Sequence, residues 1–372
     1  IIRSRLIQII VSIKQIIQSI IYFTILLFSA TFCRGDLIFE DNFDFLDFDT
    51  WQHENTLAGG GNWEFQWYTN NRSNSFTKDG SLYIRPTLTS DVLGERFLTS
   101  GLLNIHGGAP ADQCTNPSSW GCERTGTPTS VINPVRSARL RTPYSFSFKF
   151  GKLQVRAKMP SGDWLWPAIW LLPRQNAYGT WPSSGEIDLV ESRGNQNLMK
   201  NGKQIGSEFI SSTLHFGPYP AVNAYYKTNF GYNSPPGEGL DKDFHIYEMI
   251  WSPNSIQFKI DDTVIGNVDI GEGFWELGKF GEIPNIANPW KYSSPISPFD
   301  QEFYLIISLA VGGISYFPDD ALNPGGKPWK NTSPSAATDF WNGRNQWLPT
   351  WNLDPENDNS SFLIDYVRVY AL

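Results

Sequence analysis

From residue 138 onward the chain is a series of short apolar runs broken by turn chemistry, with almost no helical period in it. Residues 145–150, 152–159, 168–172, 186–191, 211–216, 244–251, 255–260 and 303–311 are rich in β-branched and aromatic side chains. The last run, 362–370, alternates cleanly as Phe-Leu-Ile-Asp-Tyr-Val-Arg-Val-Tyr. Short runs of this kind, spaced by Gly, Pro, Asn and Asp, read as strands. Three more precede them at 37–43, 63–68 and 80–85, the last launched by an Asp79–Gly80 turn. Only 334–341 hints at a helical turn. Many strands without strand–helix alternation predict an all-β, antiparallel two-sheet sandwich. With 15 Trp, 3 Met, 32 Gly and 25 Pro, the composition fits a turn-rich β-protein with an aromatic surface. No repeat or linker interrupts residues 36–372, so one domain is expected there, with 86–135, 218–242 and 312–355 as long loops.

Residues 1–35 differ in kind. Arg3, Arg5 and Lys14 precede an apolar run over 20–32 that ends among small residues, the pattern of a secretory leader cleaved near 33–35. Gln15 and Gln18 leave that run short for a membrane span. The expectation is therefore a secreted, extracellular protein with no membrane contact after cleavage. The leader holds four basic groups and no acid, so its loss takes the formal net charge from -8 to -12. A chain that acidic has no basic field for nucleic acid. Cys114 and Cys122 remain, eight apart in a stretch rich in Ser, Thr, Pro and Gly. In a secreted chain a local disulfide is the natural reading over two free thiols. Sequons at Asn71, Asn331 and Asn359 suit the same compartment.

Chemistry concentrates in 181–195, where Glu186, Asp188 and Glu191 alternate with Ile187, Leu189 and Val190. On a strand, 186 and 188 share a face, whereas 191, five positions from 186, points the other way. One extra residue in a β-bulge corrects the parity and brings Glu191 round. Three acids on one face are costly unless the face is wet or the acids are used. Trp164, Trp166, Trp170 and Trp181 crowd nearby. Acids among indoles suit a sugar cleft, with rings stacking on pyranose faces and carboxylates working on the glycosidic oxygen. Pro167 disturbs the alternation of 164, 166 and 170, so some of these indoles belong to the core. Of the three, Trp166 has the better case for substrate, then Trp164, with Trp170 assigned to the core. His53, His106 and His245 have no such context, and no His/Cys cluster suggests zinc.

Several motifs carry a family resemblance. Residues 150–173 (Phe-Gly-Lys-Leu-Gln-Val-Arg-Ala-Lys-Met-Pro-Ser-Gly-Asp-Trp-Leu-Trp-Pro-Ala-Ile-Trp-Leu-Leu-Pro) and 181–191 (Trp-Pro-Ser-Ser-Gly-Glu-Ile-Asp-Leu-Val-Glu) are two of them. Thr-Leu-His-Phe-Gly at 213–217, Ala-Val-Gly-Gly at 310–313 and Ile-Asp-Tyr-Val-Arg-Val-Tyr at 364–370 are the others. In this order they resemble glycoside hydrolase family 16, in its laminarinase branch. The likeness runs from about residue 37 to the end. It is strongest to invertebrate β-1,3-glucanases and to the β-1,3-glucan recognition proteins.

The resemblance implies a β-jelly-roll of the concanavalin A-like type whose concave sheet binds β-1,3-glucan, with no cofactor required for catalysis. It implies Glu186 as nucleophile, Asp188 as its assistant and Glu191 as acid/base. The extra residue before the last Glu is the laminarinase form, and it is the residue that the parity argument demands. It also implies Trp181 for sugar stacking and His215 beside the cleaved bond. Two carboxylates leaning together across Asp188 predict retention by double displacement. Members of the fold often carry a structural calcium on the convex side, bound by backbone oxygens at positions matching Glu40 or Asp41 and Gly80 and by an Asp matching Asp365, and oxygen-only ligands suit that ion. The expected protein is a monomeric endo-β-1,3-glucanase. The alternative is a non-catalytic glucan-recognition protein of innate immunity, in which the acids are commonly replaced; here all three are present.

Overall fold

The computed structural model describes residues 35–354 and 357–372; the expected leader lies outside them except for Gly35. Two eight-stranded antiparallel sheets dominate, as the alternation predicts. The strands of the cleft sheet are β1 (Gln52–His53), β2 (Arg139–Arg141), β3 (Ser147–Phe148) and β4 (Leu165–Pro173). They continue as β5 (Glu186–Ser192), β6 (Phe209–His215), β7 (Asn229–Asn233) and β8 (Phe303–Val311). Their order across the sheet is β7-β6-β5-β4-β8-β2-β1, with β3 also on β8. β4 and β8 pair without interruption from Leu165↔Val311 to Pro173↔Phe303 and form the spine beside the acids.

In the outer sheet, Gly151–Lys158 lies between His245–Trp251 and Phe362–Tyr370. Its burial alternates strictly along the strand, and Leu153, Val155 and Ala157 are fully buried. From the cleft sheet Leu165, Ile169, Leu171, Ile187, Leu214 and Leu309 are equally buried. All of these belong to one apolar cluster. The jelly roll is therefore one core between two sheets, each sheet contributing alternate residues.

The differences from expectation fall mainly in the loops. Residues 86–135 contain the short helices Ser90–Leu93 and Glu95–Ser100 as well as short strands. The suspected turn at 334–341 is the helix Ala336–Asn342. β7 was hidden in an expected loop because Asn-Phe-Gly-Tyr-Asn alternates only through its two rings, and it lies at the sheet edge. Cys114 and Cys122 form a disulfide (S–S 2.06 Å). No helix among the described residues is long and apolar enough to cross a membrane.

The carboxyl groups at the positions expected to hold calcium have partners of their own. Glu40 accepts from Arg368 Nε at 2.7 Å, and Asp365 pairs with Arg156 at 2.5 Å. Asp41 accepts from Phe43 N and Trp51 Nε1, and Gly80 forms a turn at φ 70°. Asp365, the one side-chain ligand expected, already has a guanidinium partner, as Glu40 does.

Candidate active site

The three acids reach one face through an irregularity in β5. Against β6 the register runs Glu186↔His215, Asp188↔Thr213 and then Glu191↔Ser211, so Leu189 and Val190 together oppose Ser212. Against β4, Asp188 faces Trp170 and Val190 faces Ile169, which leaves Leu189 without a partner. This is the bulge that parity requires. Both of its residues point into the core, Leu189 at 1% and Val190 at 0% exposure. The hydroxyl of Ser212 donates to the Leu189 carbonyl at 2.6 Å and satisfies the backbone that the bulge takes out of the ladder. Burying two consecutive aliphatic residues turns Glu191 into the cleft.

At the other end of the trio, His215 Nε2 lies 3.1 Å from Asp188 Oδ2 and 3.6 Å from Glu186 Oε1. Asn223 fixes the ring. Its carbonyl accepts from Tyr225 N–H, which leaves its amide to donate to His215 Nδ1 at 2.8 Å. The Nε2–H is therefore turned to the acids. It remains off-line, and Asp188 Oδ2 has no hydrogen-bond partner among the described residues. Trp181, 40% exposed, sits with its ring 5.7 Å from that of His215.

Glu191 is held from the opposite side. Trp166 Nε1 donates to its Oε1 at 2.9 Å. The Trp166 ring stacks on Tyr316 at 4.0 Å and 4°, and the Arg193 guanidinium lies 3.9 Å from the Tyr316 centroid. Arg193 is tied down by the Tyr316 and Ile205 carbonyls.

Burial raises the pKa of all three carboxyls. Glu186 is pushed up to about 8 by burial and then by the charge of Asp188. Asp188 also rises to about 8, through burial. Glu191 rises to about 7 by burial and Asp188, restrained by His215 and by the Trp166 hydrogen bond. Three adjacent charges with no Lys or Arg salt bridge to them among the described residues cannot all persist at neutral pH, so the trio holds protons as a unit.

The expected indoles separate. Trp164 is corrected to core: at 1% exposure it packs edge-on against Phe317 and Trp329. Its φ of 70° breaks the alternation and turns it away from the cleft. Trp170 is corrected the other way. It is half-buried opposite Asp188, donates to Ser308 Oγ at 3.1 Å and lies 5.1 Å from the Arg139 guanidinium. Arg139 belongs to a buried network with Glu54, Glu64 and Tyr68 that no local motif announced. Asn223, Tyr225 and Tyr316 were likewise missed. Glu186, Asp188 and His215 are also the one group among the described residues close enough to share a metal ion, but they lie at the heart of the acid cluster.

The jelly roll and a bulged acid trio on its cleft face define a glycosidase scaffold. The chain belongs to glycosyl hydrolases family 16, whose model matches residues 122–276, the acids included. It is 49% identical over 340 residues to a β-1,3-glucan-binding protein of Penaeus monodon, covering 90% of each chain. It is 31% identical over 344 residues to β-1,3-glucan-binding protein 2 of Manduca sexta, covering 91% of this chain and 65% of that protein. The laminarinase from Rhodothermus marinus is similar in structure, with a TM-score of 0.53 and 25% identity over 91% of this chain and 97% of that one.

Proposed function

We propose that this protein is a secreted, retaining endo-β-1,3-glucanase. The observation that carries the reading is the bulge, which sets Glu186, Asp188 and Glu191 on one cleft face at a cost in desolvation that the fold does not otherwise need. Glu186 attacks the anomeric carbon while Glu191 gives its proton to the departing glycosidic oxygen. The C–O bond breaks and a glycosyl ester forms on Glu186. Glu191, now a carboxylate, takes a proton from water; the hydroxide adds to the anomeric carbon and Glu186 is released. Asp188, neutral in its buried site, donates to Glu186 and leaves that carboxylate as the ionised member. Burial keeps a proton on Glu191 near neutral pH, and the Trp166 hydrogen bond stabilises the carboxylate it becomes. Trp181 supplies the exposed ring for the sugar face.

A second reading has its own support, since the relatives just described are called β-1,3-glucan-binding proteins. In that reading the cleft binds glucan without cleaving it. A reducing-sugar assay on laminarin separates the two. The hydrolase reading expects product from wild type and none above background from Glu186→Gln; binding with no product from wild type would overturn it.

A further inference from the structure

Two tryptophans unused by the chemistry flank a separate cavity. Trp63 is 47% and Trp120 is 70% exposed, and both adopt left-handed backbone, with φ of 51° and 58°. That conformation costs a bulky residue roughly 1–2 kcal/mol and persists only where its surroundings impose it. The surroundings do so here. Trp63 follows the turn Gly59–Gly61, and the loop of Trp120 is closed by the Cys114–Cys122 disulfide. Arg124 Nη2 ties the same loop down through the Ser119 carbonyl at 2.9 Å. Among the described residues neither indole has an aromatic or hydrogen-bonded partner.

The cavity between them holds about 660 Å³, within the usual size for a small-ligand site. Its charged walls are already engaged. Glu64 takes a hydrogen bond from Gln66, Glu123 accepts from Asn104, and Arg124 bonds Asn133 Oδ1 and the Leu57 carbonyl. What remains is indole, an aliphatic wall that includes Leu57, Val131 and Ile314, and hydroxyls that include those of Thr129, Ser130 and Ser335. Such a lining suits an uncharged pyranose and not a phosphate or a charged peptide. The cavity lies off the Val311 end of β8, where Phe65 N–H donates to the Val311 carbonyl at 2.8 Å. Two residues beyond its wall residue Ile314 comes Tyr316, which backs Trp166. None of the catalytic acids lines it.

We infer that this cavity is a second carbohydrate site, holding a segment of β-glucan outside the catalytic cleft; the identity of the sugar rests on the reading above. The test is calorimetric titration of laminarin into the full chain carrying Glu186→Gln, with and without Trp63→Ala/Trp120→Ala. The expected result is a loss of laminarin affinity of about tenfold or more, with Trp63→Phe/Trp120→Phe retaining most of it. In the otherwise wild-type chain, Trp63→Ala/Trp120→Ala should hydrolyse laminaritetraose, too short to fill both sites, within about twofold of normal. Trp120→Ala alone, with its ring mostly in solvent, gives the same readout if the double variant does not fold. Unchanged laminarin affinity in a folded alanine variant would overturn the second site, whether or not the protein is a hydrolase. A lost affinity beside a wild type that releases no product would instead support the site and remove the hydrolase reading.

Discussion

The two sheets treat their carboxylates in opposite ways. In the outer sheet Glu248 pairs with Lys259 at 3.0 Å, Asp365 with Arg156 and Glu40 with Arg368. In the cleft sheet Glu186, Asp188 and Glu191 make no salt bridge with Lys or Arg among the described residues; their neighbours are His215, Trp166 and Trp181, and their pKa values rise. Charge neutralised by a partner serves the fold. Charge left to burial alone opposes folding at neutral pH and marks groups that hold and release protons.

Neutralising the cleft acids should have the largest effect on activity. Glu186→Gln is expected to lower laminarin hydrolysis by roughly a thousandfold or more, and Glu191→Gln by about 10²–10⁴-fold, both measured as initial reducing-sugar release. Changing Glu248→Gln in the outer sheet should leave activity near normal and lower the melting temperature instead. Equal activity losses in the two sheets would break the comparison.

The pH dependence of stability should also separate the sheets. The folded chain keeps a proton on Asp188 that the unfolded chain has released above the ordinary carboxylate range. The stabilisation from that binding is full at low pH and is lost as pH rises toward about 8. Asp188→Asn should therefore raise the melting temperature at pH 8, by roughly 2–4 °C per kcal/mol recovered, and change it little at pH 4. A lower melting temperature at pH 8 would contradict the assignment.

A smaller, sharper effect concerns Glu191. Activity should fall above about pH 7 as Glu191 loses its proton. Trp166→Phe removes the hydrogen bond that favours its carboxylate, so the alkaline limb should move upward while the maximal rate falls about tenfold. An unmoved limb would show that Trp166 only packs. Smallest of all, Ser212→Ala should cost about 0.5–1.5 kcal/mol of stability through the unsatisfied Leu189 carbonyl, read by denaturant unfolding.

The sandwich was legible because strand alternation is a local signal, and the bulge because three acids at 186, 188 and 191 admit no other shared face. What sequence could not carry were the partnerships across distance. The Glu54–Arg139 pair spans 85 positions, and the stack of Trp166 on Tyr316 joins separate strand ends. Trp164 and Trp170 were exchanged for a related reason. Period two placed both with Trp166, but one positive φ at 164 reversed that residue alone. Backbone exceptions of this kind are set by the tertiary fold, and no pattern of residue types announces them.

The most direct measurement is proton NMR of laminarin hydrolysis by the wild-type chain, following the new reducing ends before they mutarotate. Retention through Glu186 and Glu191 predicts that the β-anomer appears first. An initial α-anomer would contradict the double displacement, and bound laminarin with no new reducing ends would contradict catalysis altogether.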